Sequence, residues 1–533
     1  MTASKRRAPG ATRAEALPEI SERAWLIASV VILVLATALR VYALEMKPLH
    51  HDEGVNGFFL TNLLRPPHRY AYDPANYHGP TLYYLTLPLV AIFGLTTFAI
   101  RLVPVLFGIG TVWLVLTLRR RIGALAALTA AALIAVSPAC VFYSRYFIHE
   151  VPFVFFTLGL VIAALRFYET GAPHQLLLAM ASAAMLFATK ETAFISIGTL
   201  ALACLSALVW VSIAGSGARR ERGGAPSGLK KFFRSGLLVV ILTIAGSLTL
   251  FVFIWVVFYS SFFTNWKGVF WDSFKAFDIW KETGMSEFHR KPLHTYVKWL
   301  VEEEGAVLLL GSLGTVVALF ERRKNRFIIF AAAWGMGLLA AYSLISYKTP
   351  WLSLNFIVPL CIVGGYAVQA VGAWASSREG RHRVASQWRA ASLAVAAVAI
   401  GVGLWQTIII NFREYDNDKY PYVYSQTQRQ VFGLLKEIEQ LGQRAGKEPG
   451  IGMASPEYWP LPWYFRDNPH AGFEGRLSSY YDPQSTLAVI GRDDQLPQLH
   501  HVLDDTYVRV GDLYPLRPGV NLVLFERRDL APR

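Results

Sequence analysis

Eleven apolar runs, most of them close to twenty residues long, divide this chain and limit what it can fold into. They lie at about 25–44, 100–118, 124–142, 150–168, 175–189, 192–213, 236–258, 305–320, 327–345, 352–374 and 391–410. A helix rises about 1.5 Å per residue, so roughly 20 apolar residues cross ~30 Å of hydrocarbon. Only 17% of the 533 residues are charged, against about 25% in soluble domains. An all-α polytopic membrane protein with about eleven transmembrane helices follows. The net charge of +14 does not signal a nucleic-acid partner, because the basic residues fall in short clusters between apolar runs and form no separate basic domain.

Those clusters set the orientation. With the N-terminus inside, four groups fall on the same side: Arg119-Arg120-Arg121; Arg219 to Arg234 with Lys230 and Lys231; Arg322, Arg323, Lys324 and Arg326; and Arg378, Arg381, Arg383 and Arg389. This is the positive-inside pattern. Residues 1–24, with Lys5, Arg6, Arg7 and Arg13, form a cytoplasmic tail. Although Ala36-Thr37-Ala38 resembles a cleavage site, the apolar stretch runs on to Leu44, as expected of an uncleaved anchor. Residues 25–410 form the membrane domain of an integral (cell or inner) membrane protein. The segment Tyr83–Gly94 is short and contains Pro88; it is expected to lie in, or dip into, the outer interface within an external loop 45–99. A second external loop, 259–304, carries Trp266, Trp271, Trp280 and Trp299, suited to a lipid–water boundary. Cys140, Cys204 and Cys361 all sit in apolar runs, so neither a disulfide framework nor a metal motif is available.

From Asn411 the composition becomes mixed. Helical periodicity over Gln428–Gln443 and short strands at 450–454, 486–490, 507–510 and 520–525 predict a small external (periplasmic) α/β domain, 411–533.

With this topology the unusual polar residues collect at the outer ends of the spans. His50-His51-Asp52-Glu53-Gly54 follows the first run, His78-Gly79-Pro80 lies in the same loop, and Arg101 opens the second run. Arg145, His149 and Glu150 stand between the third and fourth runs, Lys190 and Glu191 between the fifth and sixth, and Tyr347 and Lys348 between the ninth and tenth. Ionisable groups at membrane depth are functional candidates. Lysines and arginines there can hold a lipid-linked phosphate: Lys190, Lys348, Arg101 and Arg145 are the candidates. A carboxylate in a partly dry loop can act as a general base. Asp52 is the first choice, with Glu53 orienting the acceptor or binding a cation and Glu150 as the second acid. His51, His78, His149 and Tyr347 are candidates for acceptor or sugar contacts. The alternatives are ion pairs, Glu53 with Arg101, Arg145 with Glu150 and Lys190 with Glu191. No spacing demands a metal, and a divalent cation is compatible but not required.

At these residues the chain resembles a known family. The Asp52-Glu53 pair, the His78-Gly79-Pro80-x-x-Tyr83-Tyr84 stretch and Arg101-Leu102-x-Pro104 look like the protein O-mannosyltransferase family, glycosyltransferase family 39, of the GT-C superfamily. His50-His51-Asp52-Glu53-Gly54, Tyr347-Lys348-Thr349-Pro350-Trp351 and Trp459-Pro460-Leu461-Pro462-Trp463-Tyr464 look like its flippase activity-associated subgroup. Relatives commonly have His-Pro-Pro where this chain has His78-Gly79-Pro80. The resemblance implies a GT-C fold and catalysis on the external face. It also implies a polyprenyl-phosphate-linked sugar donor, with a protein, lipid or glycan acceptor and membrane lipid as partners. Asp52 matches the catalytic acid, Glu150 the second acidic position, and Lys190 and Lys348 the positions near the lipid phosphate. A competing reading is a component of lipid-linked sugar flipping. Transporters place charges near the bilayer midplane, often between repeats, whereas here they cluster at span ends and no repeat is seen. In a third reading the outer domain binds glycans through Tyr458, Trp459, Trp463 and Tyr464, although these residues can equally pack the domain on the membrane.

Overall fold

The computed structural model describes residues 20–66, 71–76, 78–214, 227–284, 290–321, 325–376 and 382–532. Of the basic residues used above, Lys5, Arg6, Arg7, Arg13, Arg219, Arg322, Arg323, Lys324, Arg378 and Arg381 lie outside the described residues, as do the side chains of Arg383 and Trp280.

The membrane half begins with α1 (Glu22–Val41), α2 (His51–Leu64), α3 (Thr81–Phe93), α4 (Thr97–Leu116) and the single turn α5 (Arg119–Ile122). Next come α6 (Ala124–Val136), α7 (Pro138–Ser144), α8 (Glu150–Thr170), α9 (Pro173–Phe187) and α10 (Ala193–Ala214). The chain continues through α11 (Ser227–Arg234), α12 (Leu237–Tyr259), α13 (Ser273–Gly284), α14 (Thr295–Glu303), α15 (Gly305–Phe320), α16 (Arg326–Leu344), α17 (Leu354–Ser376) and α18 (His382–Ile408). Eight helices among the described residues are long and apolar enough to cross a membrane, and ten spans result if each of two bent pairs counts as one. The run expected at 175–189 forms α9, whose 15 residues reach only ~22 Å at 1.5 Å per residue. Its ends nevertheless lie at opposite ends of α8, because Lys190 returns to Glu150.

The bent pairs break for identifiable reasons. Pro138 lacks an N–H, and α6 and α7 meet there at 57°. The Ser137 hydroxyl caps α7 at the Cys140 N–H. Helices α14 and α15 meet at 111°, and Glu304 at that corner accepts from the Ser137 hydroxyl and the Ala139 N–H. The two breaks are thus joined to each other. Helix α17 is the bundle's axis: 83% of its span is buried, against 6% for α12. Close approach explains this. A Cβ on Gly314 of α15 would stand 2.2 Å from the Val363 carbonyl oxygen, and one on Gly365 of α17 would stand 2.3 Å from that of Ala126. Small residues at such crossings let backbones pack directly.

Loop 259–304 is less uniform than expected. Trp266 and Trp271 are exposed, but Trp299 is buried and packs edge-on against Tyr296. Cys140 and Cys361 are buried, while Cys204 faces outward on α10.

The C-terminal domain contains α19 (Val431–Ala445), α20 (Leu461–Tyr464), α21 (Leu496–Leu503) and strands β1 (Ile451–Met453), β2 (Ala471–Gly472), β3 (Ala488–Arg492), β4 (Tyr507–Arg517) and β5 (Val520–Arg527). The sheet order is β2-β1-β3-β5-β4. β1 runs parallel to β2 and β3, and β5 runs antiparallel to β3 and β4. The buried face of α19, with Leu434, Ile438 and Leu441, packs with Ile451, Ile490 and Leu524 from the sheet. β2 is only two residues long and leaves no periodic signal.

This domain docks on α2 through two glycines. A Cβ at Gly54 would come 2.5 Å from Pro460 Cβ, and one at Gly57 would come 2.5 Å from the Trp463 ring. Spaced three apart, both lie on one helical face. Trp463 donates its indole N–H to Thr97, and the Leu49 N–H donates to the Tyr464 hydroxyl. The aromatic segment therefore anchors the domain on the bundle.

Candidate active site

Helix α2 starts with a reciprocal cap. The His50 ring accepts from the Asp52 N–H at 3.1 Å, and Glu53 accepts from the His50 N–H at 3.0 Å. With His50 Nδ1 accepting, Nε2 carries the proton and donates to the Tyr424 carbonyl at 3.1 Å. Burial lowers the pKa of His50, although Asp52 and Glu53 pull it up.

Two adjacent carboxylates then part. Glu53 points inward and is fully buried. Its oxygens take two 2.8 Å bonds from Arg101 and one of 2.9 Å from the Phe147 N–H. Burial alone would raise its pKa, but Arg101 outweighs burial and holds it low. Arg101 donates as well to the carbonyls of Leu44, Lys47 and Pro48, which uses all five guanidinium donors. Arg145 binds the carbonyls of Leu39, Arg40, Tyr42 and Ala43, the unsatisfied end of α1. Arg101 thus has no donor left over, whereas the buried Nε of Arg145 has no acceptor. Together they build the floor on which α2 rests.

Asp52 is different. Among the described residues its carboxylate makes no hydrogen bond and no ion pair, and it is half-buried at the first turn of α2. Its charge is felt by Lys190, Tyr347, Tyr424 and Arg517, so these groups surround one cleft. Lys190 donates to Glu150 at 2.6 Å. Burial opposes its charge, but Glu150 and Glu191 prevail and hold its pKa above the usual lysine range. Glu150 sits in the first turn of α8, where the helix dipole favours an anion. His78 pairs with Glu191 at 2.9 Å and lies 4.6 Å from the ring of His149. Tyr347 is kept protonated by burial first, then by Asp52, Tyr424, Glu150 and Glu191. The Lys348 ammonium donates to the Ile345 carbonyl at the end of α16.

Three participants carried little sequence signal. Lys47 is buried, with its ammonium 3.8 Å from the Phe142 ring centre and 4.0 Å from that of Tyr146; the only hint was a lysine beside a proline at a span end. Gln426 ties the C-terminal segment to the Pro48 carbonyl and the Tyr146 hydroxyl. Arg517, on β4, donates to His51 Nδ1 at 3.1 Å and pairs with Glu457. No local pattern joins Arg517 to a residue 466 positions earlier at the start of α2. Among the described residues no group of three or more His, Cys, Asp or Glu side chains is placed to hold a metal ion.

Residues 77–217 match the family model described as dolichyl-phosphate-mannose-protein mannosyltransferase. That stretch holds His78, Arg101, Arg145, His149, Glu150 and Lys190, but not Asp52. No curated protein sequence matches the chain. Among solved structures, ArnT from Cupriavidus metallidurans in the apo state aligns at a TM-score of 0.60 and 14% identity, covering 96% of this chain and 99% of that one. The same protein bound to undecaprenyl phosphate aligns at 0.57 and 14%, covering 96% and 100%. Over nearly its whole length, then, this polytopic membrane chain has the fold seen in the ArnT structures.

Proposed function

We propose that this protein is a membrane glycosyltransferase that moves a sugar from a polyprenyl-phosphate-linked donor to an acceptor hydroxyl, with Asp52 as the general base. The observation that carries the reading is the isolation of Asp52. Among the described residues Glu53, Glu150 and Glu191 are each bound to a cation or an imidazole, and Asp52 is left to take a proton. The partial match to the mannosyltransferase model and the likeness to an ArnT structure holding undecaprenyl phosphate support a polyprenyl-phosphate donor.

In the proposed step the acceptor O–H gives its proton to Asp52 while its oxygen forms a bond to the anomeric carbon. The bond from that carbon to the phosphate oxygen breaks, and its electron pair leaves with the polyprenyl phosphate. A single displacement inverts the anomeric centre. Lys190, held charged by Glu150, offsets the negative charge growing on the leaving phosphate. Tyr347 and the His78–His149 pair border the sugar. Glu53, Arg101 and Arg145 act as support, and Lys348 reaches the phosphate only by releasing Ile345.

On this reading there are eleven crossings, with α9 completing the set, so that the N-terminal tail is cytoplasmic and residues 411–533 lie outside with the cleft. The basic ends fit this orientation. Arg121 lies beside Asn325, and Gly228 of α11 packs on Gly171 at the far end of α8. The test is Asp52→Asn, which keeps shape and removes the base. Membranes carrying the variant are assayed with a polyprenyl-phosphate sugar; transfer near the wild-type rate would refute Asp52 as the base.

A further inference from the structure

At the end of the bundle opposite the cleft, α1, α4, α5, α8 and α9 enclose a pocket of about 610 Å³. Four guanidinium groups line it, from Arg119, Arg120, Arg121 and Arg166. Two are held in place by the protein. Arg119 takes both oxygens of Glu22 at 2.8 Å and stacks 4.6 Å from the Trp25 ring centre. Arg121 pairs with Glu169 at 3.0 Å, while its buried Nε has no acceptor. Arg120 and Arg166 have no ion-pair partner among the described residues. Helix α9 begins beside them with no side chain capping its N-terminus, which adds partial positive charge.

Ile162 and Leu165 give the pocket an apolar wall. On α4, Trp113 and Leu106 are exposed and stand on the same helical face as the pocket-lining Thr117, one and three turns further into the span. A ring at a span end next to a basic pocket, with an apolar helix face leading away, matches one kind of molecule. The anion sits among the guanidinium groups, the glycerol level lies at the Trp25 ring, and acyl chains run along α4. We propose that this pocket binds the headgroup phosphate of an anionic phospholipid. A soluble phosphate compound would use the guanidinium groups but leave the apolar face of α4 uncovered. The inference is independent of the transfer reaction.

The full chain, purified in detergent, is titrated with dioleoyl-phosphatidylglycerol and lipid binding is counted by native mass spectrometry. Phosphatidylcholine with the same chains and inorganic phosphate serve as parallel probes. Wild-type protein should retain phosphatidylglycerol in preference to phosphatidylcholine. The double variant Arg120→Gln, Arg166→Gln should bind it about tenfold more weakly, as expected for two membrane-facing cations, and the Lys/Lys counterpart should recover most of that loss. Lys230→Gln with Lys231→Gln, on α11 outside the pocket lining, should change binding less than about twofold. The proposal fails on any of three results: unchanged binding in the Gln/Gln variant, an equal loss in the α11 variant, which marks diffuse attraction, or displacement of the lipid by equimolar inorganic phosphate, which marks a free-anion site.

Discussion

The layer beneath α2 and the cleft above it are built from the same residue types and used in opposite ways. Below, Glu53, Arg101 and Arg145 bind one another's neighbourhoods until the Glu53 carboxylate and every Arg101 donor are used. Above, Lys190, Glu150, His78 and Glu191 form pairs, and Asp52 has none among the described residues. The contrast turns on a single step along the helix. Successive residues of α2 point about 100° apart, so Asp52 faces the cleft when Glu53 faces the core. A saturated charge network gives rigidity, and an unsaturated group within reach of it gives reactivity.

Substitutions should separate the two layers. Asp52→Asn should lower transfer by roughly 10²- to 10⁴-fold, the usual contribution of a general base, and leave the melting temperature in detergent unchanged. A large fall in melting temperature would move Asp52 into the supporting layer. Glu53→Gln should do the reverse. It strands Arg101 in the core, at a cost of about 3–5 kcal/mol, so folded protein recovered by size-exclusion chromatography should drop sharply. Normal recovery with lost activity would make Glu53 part of the reaction. Arg517→Gln removes the charged hydrogen bond to His51, worth about 1.5 kcal/mol, together with the ion pair to Glu457; a roughly tenfold fall in kcat/KM at unchanged melting temperature would place Arg517 among the residues that position His51.

The smallest effect is the pH response of the cap that joins the layers. His50 has a folded pKa lowered by burial, so the folded form resists protonation relative to the unfolded chain. Its contribution to stability is complete above about pH 6.5, the unfolded value, and is lost as pH falls through the lower folded value. Melting temperatures should therefore drop more between pH 7.5 and 5.5 in wild type than in His50→Asn, whose side chain still caps the helix. Parallel curves would remove His50 from the pH dependence.

Much of this molecule was legible in its sequence because membranes impose a coarse rule. Apolar length marked the regions that form α1, α4, α8, α10, α12, α16 and α17, and the mixed composition after Asn411 marked the β-containing domain. Breaks were less legible. The run at 124–142 reads as one span although it contains Pro138, and the corner at Glu304–Gly305 depends on a partner, Ser137, far away in sequence. At the site, residue type and position identified which groups stand near α2, but not which of them are already spent. Arg101 is spent on Glu53 and three backbone carbonyls, and Arg145 on four carbonyls at the end of α1. Those carbonyls come from a loop conformation that no spacing encodes.

The bond between Arg517 and His51 also has a consequence in time. At about 5–20 residues per second of synthesis, the 466 residues that separate them take roughly 20 to 90 s to appear. Through that interval the bundle can already be inserted in the membrane, yet His51 lacks its arginine and the glycine face of α2 lacks its cover. On the proposed reading, transfer therefore waits until the C-terminal domain has been made and has covered α2.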